Sequence, residues 1–371
     1  MKLPPLQIGN LIAKVPIMQG GMGVGVSLSG LASAVAREGG IGIISGAQVG
    51  FKEEDFETNC LNANIRALKK EIRNAKKLSN NGIIGVNLMV AMNHYDEMVN
   101  AALDEKIDLI VSGAGLPMDL PKLIMGSGTK IAPIVSSARA ANIMCKLWDR
   151  RYKYVPDMIV VEGPEAGGHL GFHTDELEDG KKPELGSIVE EVVKVAENYG
   201  KKYNKKIPVA AGGGVFTGKD IAYILGKGAS GVQMATRFVA TEECDADINF
   251  KMAYVNSKKE DIRIIKSPVG MPGRAIENDF IKKTEKGRIP VDKCYHCIKT
   301  CDAKTTPYCI TRALIESVEG RTDNGIVFVG SNAYRVDKIV TVHELMSELV
   351  KEAENYYLRG DNRGKIGECC K

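Results

Sequence analysis

No stretch of this 371-residue chain reaches the roughly 18 consecutive apolar residues that a membrane helix requires, and its apolar runs are strand-length and end in glycine. A helical membrane span is excluded on that ground. A surplus of one charge sign is missing too, since 50 lysines and arginines face 46 aspartates and glutamates for a net +4. So balanced a chain lacks the electrostatic footprint of nucleic-acid binding, and a small-molecule partner is expected instead. The opening residues, MKLPPLQIGNLIAKVPIMQGG, place prolines and polar side chains where an export signal would have an unbroken apolar core. A cytoplasmic protein is therefore expected. Its nine cysteines are then expected as thiols or metal ligands, not as a disulfide framework. Low-complexity tracts are also missing, as are internal repeats beyond the alternation described next.

Short apolar runs are plentiful. They stand at 15–20 (VPIMQG), 41–47, 83–90, 108–114, 130–136, 157–163, 207–214 and 230–236 (SGVQMAT). Each is apolar almost throughout, without strict alternation, which is how strands buried on both faces of a parallel sheet read. Between them lie segments such as SLSGLASAVAREGG and TGKDIAYILGKG, with helical spacing of apolar residues and glycine just past the end. Strand then helix, eight times, predicts a (β/α)8 TIM barrel; an open doubly wound sheet is the alternative. Residues 52–80 read as a charged, solvated outer helix. The barrel is expected over residues 1–240, and residues 241–371 as a mainly helical cap with a cysteine-rich extension.

In such a barrel the C-terminal ends of the strands carry the site. Here the runs end in QGGMG, SGA, SGAG, EGPEAGGHLG and AAGGG. Glycine lets a backbone N–H approach a ligand with no Cβ in the way, although any one of these could be an ordinary tight turn. AAGGGVFTGKDI and GASGVQMATRF follow the seventh and eighth runs, where this fold usually binds phosphate. EGPEAGGHLG sets His169 in a glycine loop beside Glu162 and Glu165, and an imidazole there suits proton chemistry. His173 is a second candidate outside that glycine frame. His94 and His343 sit in helical patterns and read as structural.

The segment CYHCIKTCDAKTTPYC brings Cys294, Cys297, Cys301 and Cys309 close in sequence, with His296 as a possible substitute ligand. Two- and three-residue gaps let thiolates converge on one centre, so zinc or an iron–sulfur cluster is one reading and four reduced thiols the other. The terminal pair Cys369 and Cys370 suggests nothing.

Taken together, PIMQGGM (16–22), GVNLM (85–89), EGPEAGGHLG (162–171), PVAAGGGVFTGKDI (208–221), GVQMATRFV (231–239) and GMPGRAI (270–276) resemble the nitronate monooxygenase family, which also contains FMN-dependent enoyl-acyl-carrier-protein reductases. The resemblance implies a barrel with non-covalent FMN. It puts Gly20, Gly21 and Met22 against the flavin ring, with Asn87 and Glu162 near it. Gly167, Gly168 and a catalytic His169 fall on the reactive side. Gly212, Gly213, Gly214, Gln233, Met234, Ala235 and Thr236 would take the ribityl chain and phosphate. One departure is Ala235, where relatives have glycine; alanine is tolerable there only at negative φ. The implied activity is oxidation of alkyl nitronates by oxygen to a carbonyl compound and nitrite. NAD(P)H-dependent reduction of enoyl thioesters is the alternative, and a non-catalytic flavin-binding barrel a third. A homodimer is compatible with all three.

Overall fold

Each of the eight apolar runs forms a strand of one closed parallel barrel in a computed structural model that describes residues 2–178 and 180–358. A hairpin of β1 (Leu6–Ile8) and β2 (Leu11–Ala13) comes first. The barrel then runs through β3 (Ile17–Gln19), β4 (Ile41–Ser45), β5 (Ile83–Met89), β6 (Leu109–Gly113), β7 (Lys130–Val135) and β8 (Ile159–Glu162). After a two-residue excursion, β9 (Gly168–His169), it finishes with β10 (Val209–Gly212) and β11 (Gly231–Met234). Pairing of β11 with β3 closes the ring, which rules out the open sheet. Inside, Met18, Ile43, Leu109, Val111, Met158 and Val160 pack on one another, and Leu6 and Ile8 of the hairpin join the same cluster. Both hairpin residues are fully buried, as a stopper of a packed barrel must be.

Helices follow the strands in turn: α1 (Ser29–Arg37), α2 (Cys60–Leu78), α3 (Tyr95–Asp104), α4 (Leu120–Leu123), α5 (Ala138–Tyr152), α6 (Leu185–Tyr203) and α7 (Gly218–Gly226). The charged segment after β4 is indeed an outer helix, α2, which buries Ala63, Ala67, Leu68, Ile72 and Ala75. The eighth position departs from expectation. After β11 comes only the short α8 (Thr236–Val239), and the chain wanders for about a hundred residues before α12 (Val342–Leu358) packs against α7 and α1. The barrel's last helix is thus at the end of the chain, so residue 240 is not a boundary between barrel and cap.

The excursion between α8 and α12 is an insertion over the barrel mouth, and it is not simply helical. It holds α9 (Ile248–Val255), β12 (Ile262–Lys266), β13 (Pro272–Ile276), α10 (Asp279–Lys286) and α11 (Ile310–Val318). β12 and β13 form an antiparallel sheet with β9, which comes from the loop after β8. A small core of Ile265, Val269, Phe280, Ile298, Tyr308 and Ile310 holds the insertion together. Among the described residues, no helix is long and apolar enough to cross a membrane. Cys369 and Cys370 lie outside the described residues.

Candidate functional site

Parallel register brings the C-terminal residues of the strands to one level. Ser45 stands opposite Asn87, Glu162 opposite Gly212, Gly212 opposite Gln233 and Met234 opposite Gln19. Above this layer lies a cavity of about 240 Å³. All the residues expected near a cofactor line it: Gly20, Gly21, Met22, Asn87, Glu162, Gly167, Gly168, Gly212, Gly213, Gly214, Gln233, Met234, Ala235 and Thr236, with His169. Ala235 has φ −125°, the negative value that alanine requires at this turn. Gly213, at φ +101°, turns so tightly that a Cβ would stand 2.9 Å from the Gly163 carbonyl oxygen.

His169 reaches the cavity through pairing of its short strand with the insertion, opposite Gly273 of β13. Its Nε2 lies 2.7 Å from Ser267 Oγ, and its ring meets Phe328 edge-on with centroids 5.0 Å apart. Burial pushes its pKa down to about 4, so the imidazole is neutral across the physiological range. Burial acts on Glu162 in the opposite direction and raises its carboxyl to about 7, with no other group contributing. Nearby Glu165 is different. Burial would raise it too, but Ser331, Lys182 at 3.1 Å and Arg274 together hold it below the usual carboxylate range. Arg274 in turn donates to the Ala166 carbonyl, tying β13 to the histidine loop.

A second compartment of about 290 Å³ adjoins the first, and His169, Val24, Ala47, Met89 and Leu314 line both. Its far wall includes Met92, Met98, Ile298 and Ile310 together with Cys294 and Cys297. The four expected metal ligands all line a third, smaller cavity beyond that wall. Yet among the described residues no three His, Cys, Asp or Glu side chains stand close enough to hold one metal ion. None of the four is in a disulfide.

The other histidines separate clearly. His173 does not line the cavity and stands at the start of a 3-10 turn over Thr174–Leu177. His343 pairs with Glu38 at 3.0 Å on the outside, and His94, paired with Glu97 at 3.2 Å, reaches the outer compartment. What the sequence did not reveal comes from the insertion: Ser267 beside the histidine, and Phe328, Val329, Ser331 and Asn332 along the cavity. Asn332 is fixed there by donating to the Gly214 carbonyl at 2.9 Å. Besides the cysteine run, GMPGRAI was a visible signal of this region, because it supplies the strand against which His169 pairs.

Residues 6–352 match the family model described as nitronate monooxygenase. A "probable nitronate monooxygenase" of Staphylococcus aureus is 28% identical over 320 residues, covering 76% of this chain and 81% of that protein. The (3aS,4S,5R,7aS)-5-hydroxy-7a-methyl-1-oxo-octahydro-1H-indene-4-carboxyl-CoA dehydrogenase of Rhodococcus jostii is 25% identical over 73% of the chain, which spans 65% of that relative's length. Among solved structures, FabK from Thermotoga maritima superposes with a TM-score of 0.70 at 25% identity, over 94% of this chain and 96% of the other. Nitroalkane oxidase from Streptomyces ansochromogenes gives 0.71 at 20% identity, over 93% and 97%, a likeness of fold.

Proposed function

Because the chain belongs to the nitronate monooxygenase family and is an oxidoreductase, we propose that it holds FMN at the barrel mouth and oxidises alkyl nitronates with oxygen to a carbonyl compound and nitrite. Two features of the cavity fit such a group. Gly168, at φ +71°, has open space where a Cβ would project, so any side chain would intrude on a ligand. Glu162 faces the cavity, and among the described residues burial alone shifts its carboxyl, which leaves it to pair with a polar ligand. Gly20, Gly21, Met22 and Asn87 would then border the ring, and Gly213, Gly214, Ala235 and Thr236 the phosphate end. When bound, the flavin supplies the redox chemistry by taking electrons from the substrate carbon and giving them to oxygen.

One observation carries the reading: a neutral histidine stands on the wall between the glycine-lined cavity and an outer compartment open to substrate. A pKa near 4 makes His169 a weak base. Its role is therefore to donate an N–H to the anionic nitronate and aim its carbon, more than to remove the first proton from a nitroalkane. Nitrite release in air from a preformed propyl nitronate tests this. Turnover to nitrite without any pyridine nucleotide is expected.

The outer compartment favours a second reading. At about 290 Å³ and walled by Met89, Met92, Met98 and Ile310, it exceeds what a short nitronate fills and suits an acyl chain. An NAD(P)H-dependent enoyl-thioester reductase would use that space. No nitrite, but NAD(P)H oxidation that depends on an added enoyl thioester, would establish that alternative over the first.

A further inference from the structure

The cysteine run is left unused by that reading, although the fold gathers it. The loop from 294 to 309 is docked on the barrel by its backbone: Asn93 N–H donates to the Cys297 carbonyl at 3.1 Å and Lys299 N–H to the Ala91 carbonyl at 2.9 Å. Within it, Cys294, Cys297, Cys301 and Cys309 face one cavity of about 170 Å³ that no carboxylate lines. A water molecule claims about 30 Å³ of liquid, so this space admits several atoms, not one ion.

A backbone hydrogen-bond donor already points at one of the sulfurs. The His296 N–H lies 3.4 Å from Cys294 Sγ. Cys309 stands at the N-terminus of α11. Lys299 lines the same space. Such donors stabilise thiolates and the sulfurs of clusters. A tetrahedral zinc requires its sulfurs about 2.3 Å from one point, hence packed against one another. Here no three are so close. A cubane binds each thiolate to a different iron, so it spreads its ligands around a larger body.

We propose that Cys294, Cys297, Cys301 and Cys309 ligate a [4Fe–4S] cluster inside the insertion. The cluster closes the loop that forms the far wall of the outer compartment, since Cys294, Cys297 and Ile298 line both spaces. It also puts a one-electron group one compartment away from the cavity that His169 borders.

The test is elemental and spectroscopic, on the full chain produced with iron and zinc both supplied and purified without oxygen. About four iron atoms and about four acid-labile sulfides per chain are expected, with a paramagnetic signal after dithionite reduction. C297S and C301S should each lose most of the iron and sulfide. Flavin content, measured separately, reports whether those variants fold. About one zinc per chain without sulfide would overturn the proposal, as would wild-type protein free of metal with four titratable thiols.

Discussion

His169 owes its place to two contacts from the insertion, the Ser267 hydroxyl on Nε2 and the edge-on contact with the Phe328 ring. If the histidine donates to an anionic substrate, replacing it removes a transition-state hydrogen bond at a half-buried site. His169→Ala should then lower kcat on a preformed nitronate by about 10²- to 10³-fold with flavin content unchanged. Ser267→Ala leaves the imidazole present but unanchored, so steady-state assay should find a smaller loss of about tenfold. A larger loss on neutral nitroalkane than on nitronate would instead mark His169 as the base.

Glu162 gives a pH signature of its own. Its carboxyl is raised to about 7 in the folded protein against an ordinary 4.5, so the folded state keeps a proton that the unfolded chain releases. That contribution is full below about 4.5 and is lost as pH rises toward 7. Glu162→Gln cannot titrate. In urea melts of flavin-free protein, the variant should therefore gain on the wild type steadily from pH 5 to pH 7.5; a constant difference would mean that Glu162 ionises normally.

At the level of elements, the eight strands were legible because a parallel barrel buries both faces of each, leaving continuous apolar runs ended by glycine. The eighth helix was not. Its partner strand β11 and α12 are separated by the insertion, and nothing local marks α12 as part of the barrel. Packing does: Leu345, Leu349 and Ala353 are completely buried in the large core cluster that also holds Ile221 and Ile224 of α7. Leu349→Ala should cost about 2–5 kcal/mol by denaturant unfolding, as for any large-to-small core change. A loss below about 0.5 kcal/mol, typical of surface substitutions, would mean that α12 is an appendage. β12 and β13 escaped notice for a related reason, since IRIIK and PGRAI are short and find their third strand, β9, a hundred residues earlier.

For the whole molecule, the glycine-lined half of the site was readable because it lies on consecutive strand ends, whereas Ser267, Phe328, Ser331 and Asn332 come from the insertion and carry no motif. The barrel thus supplies a floor for the cavity and the insertion a roof. His169 stands between the inner cavity and the outer compartment, where substrate would meet the flavin. On the proposed function, electrons enter at this wall from a nitronate. Anaerobic mixing of the flavin-loaded protein with propyl nitronate, followed through the visible flavin band, tests it most directly. Bleaching by the nitronate alone, slowed in His169→Ala, is the expected result. A flavin that stays oxidised with the nitronate, yet bleaches at once with NADPH, would contradict it.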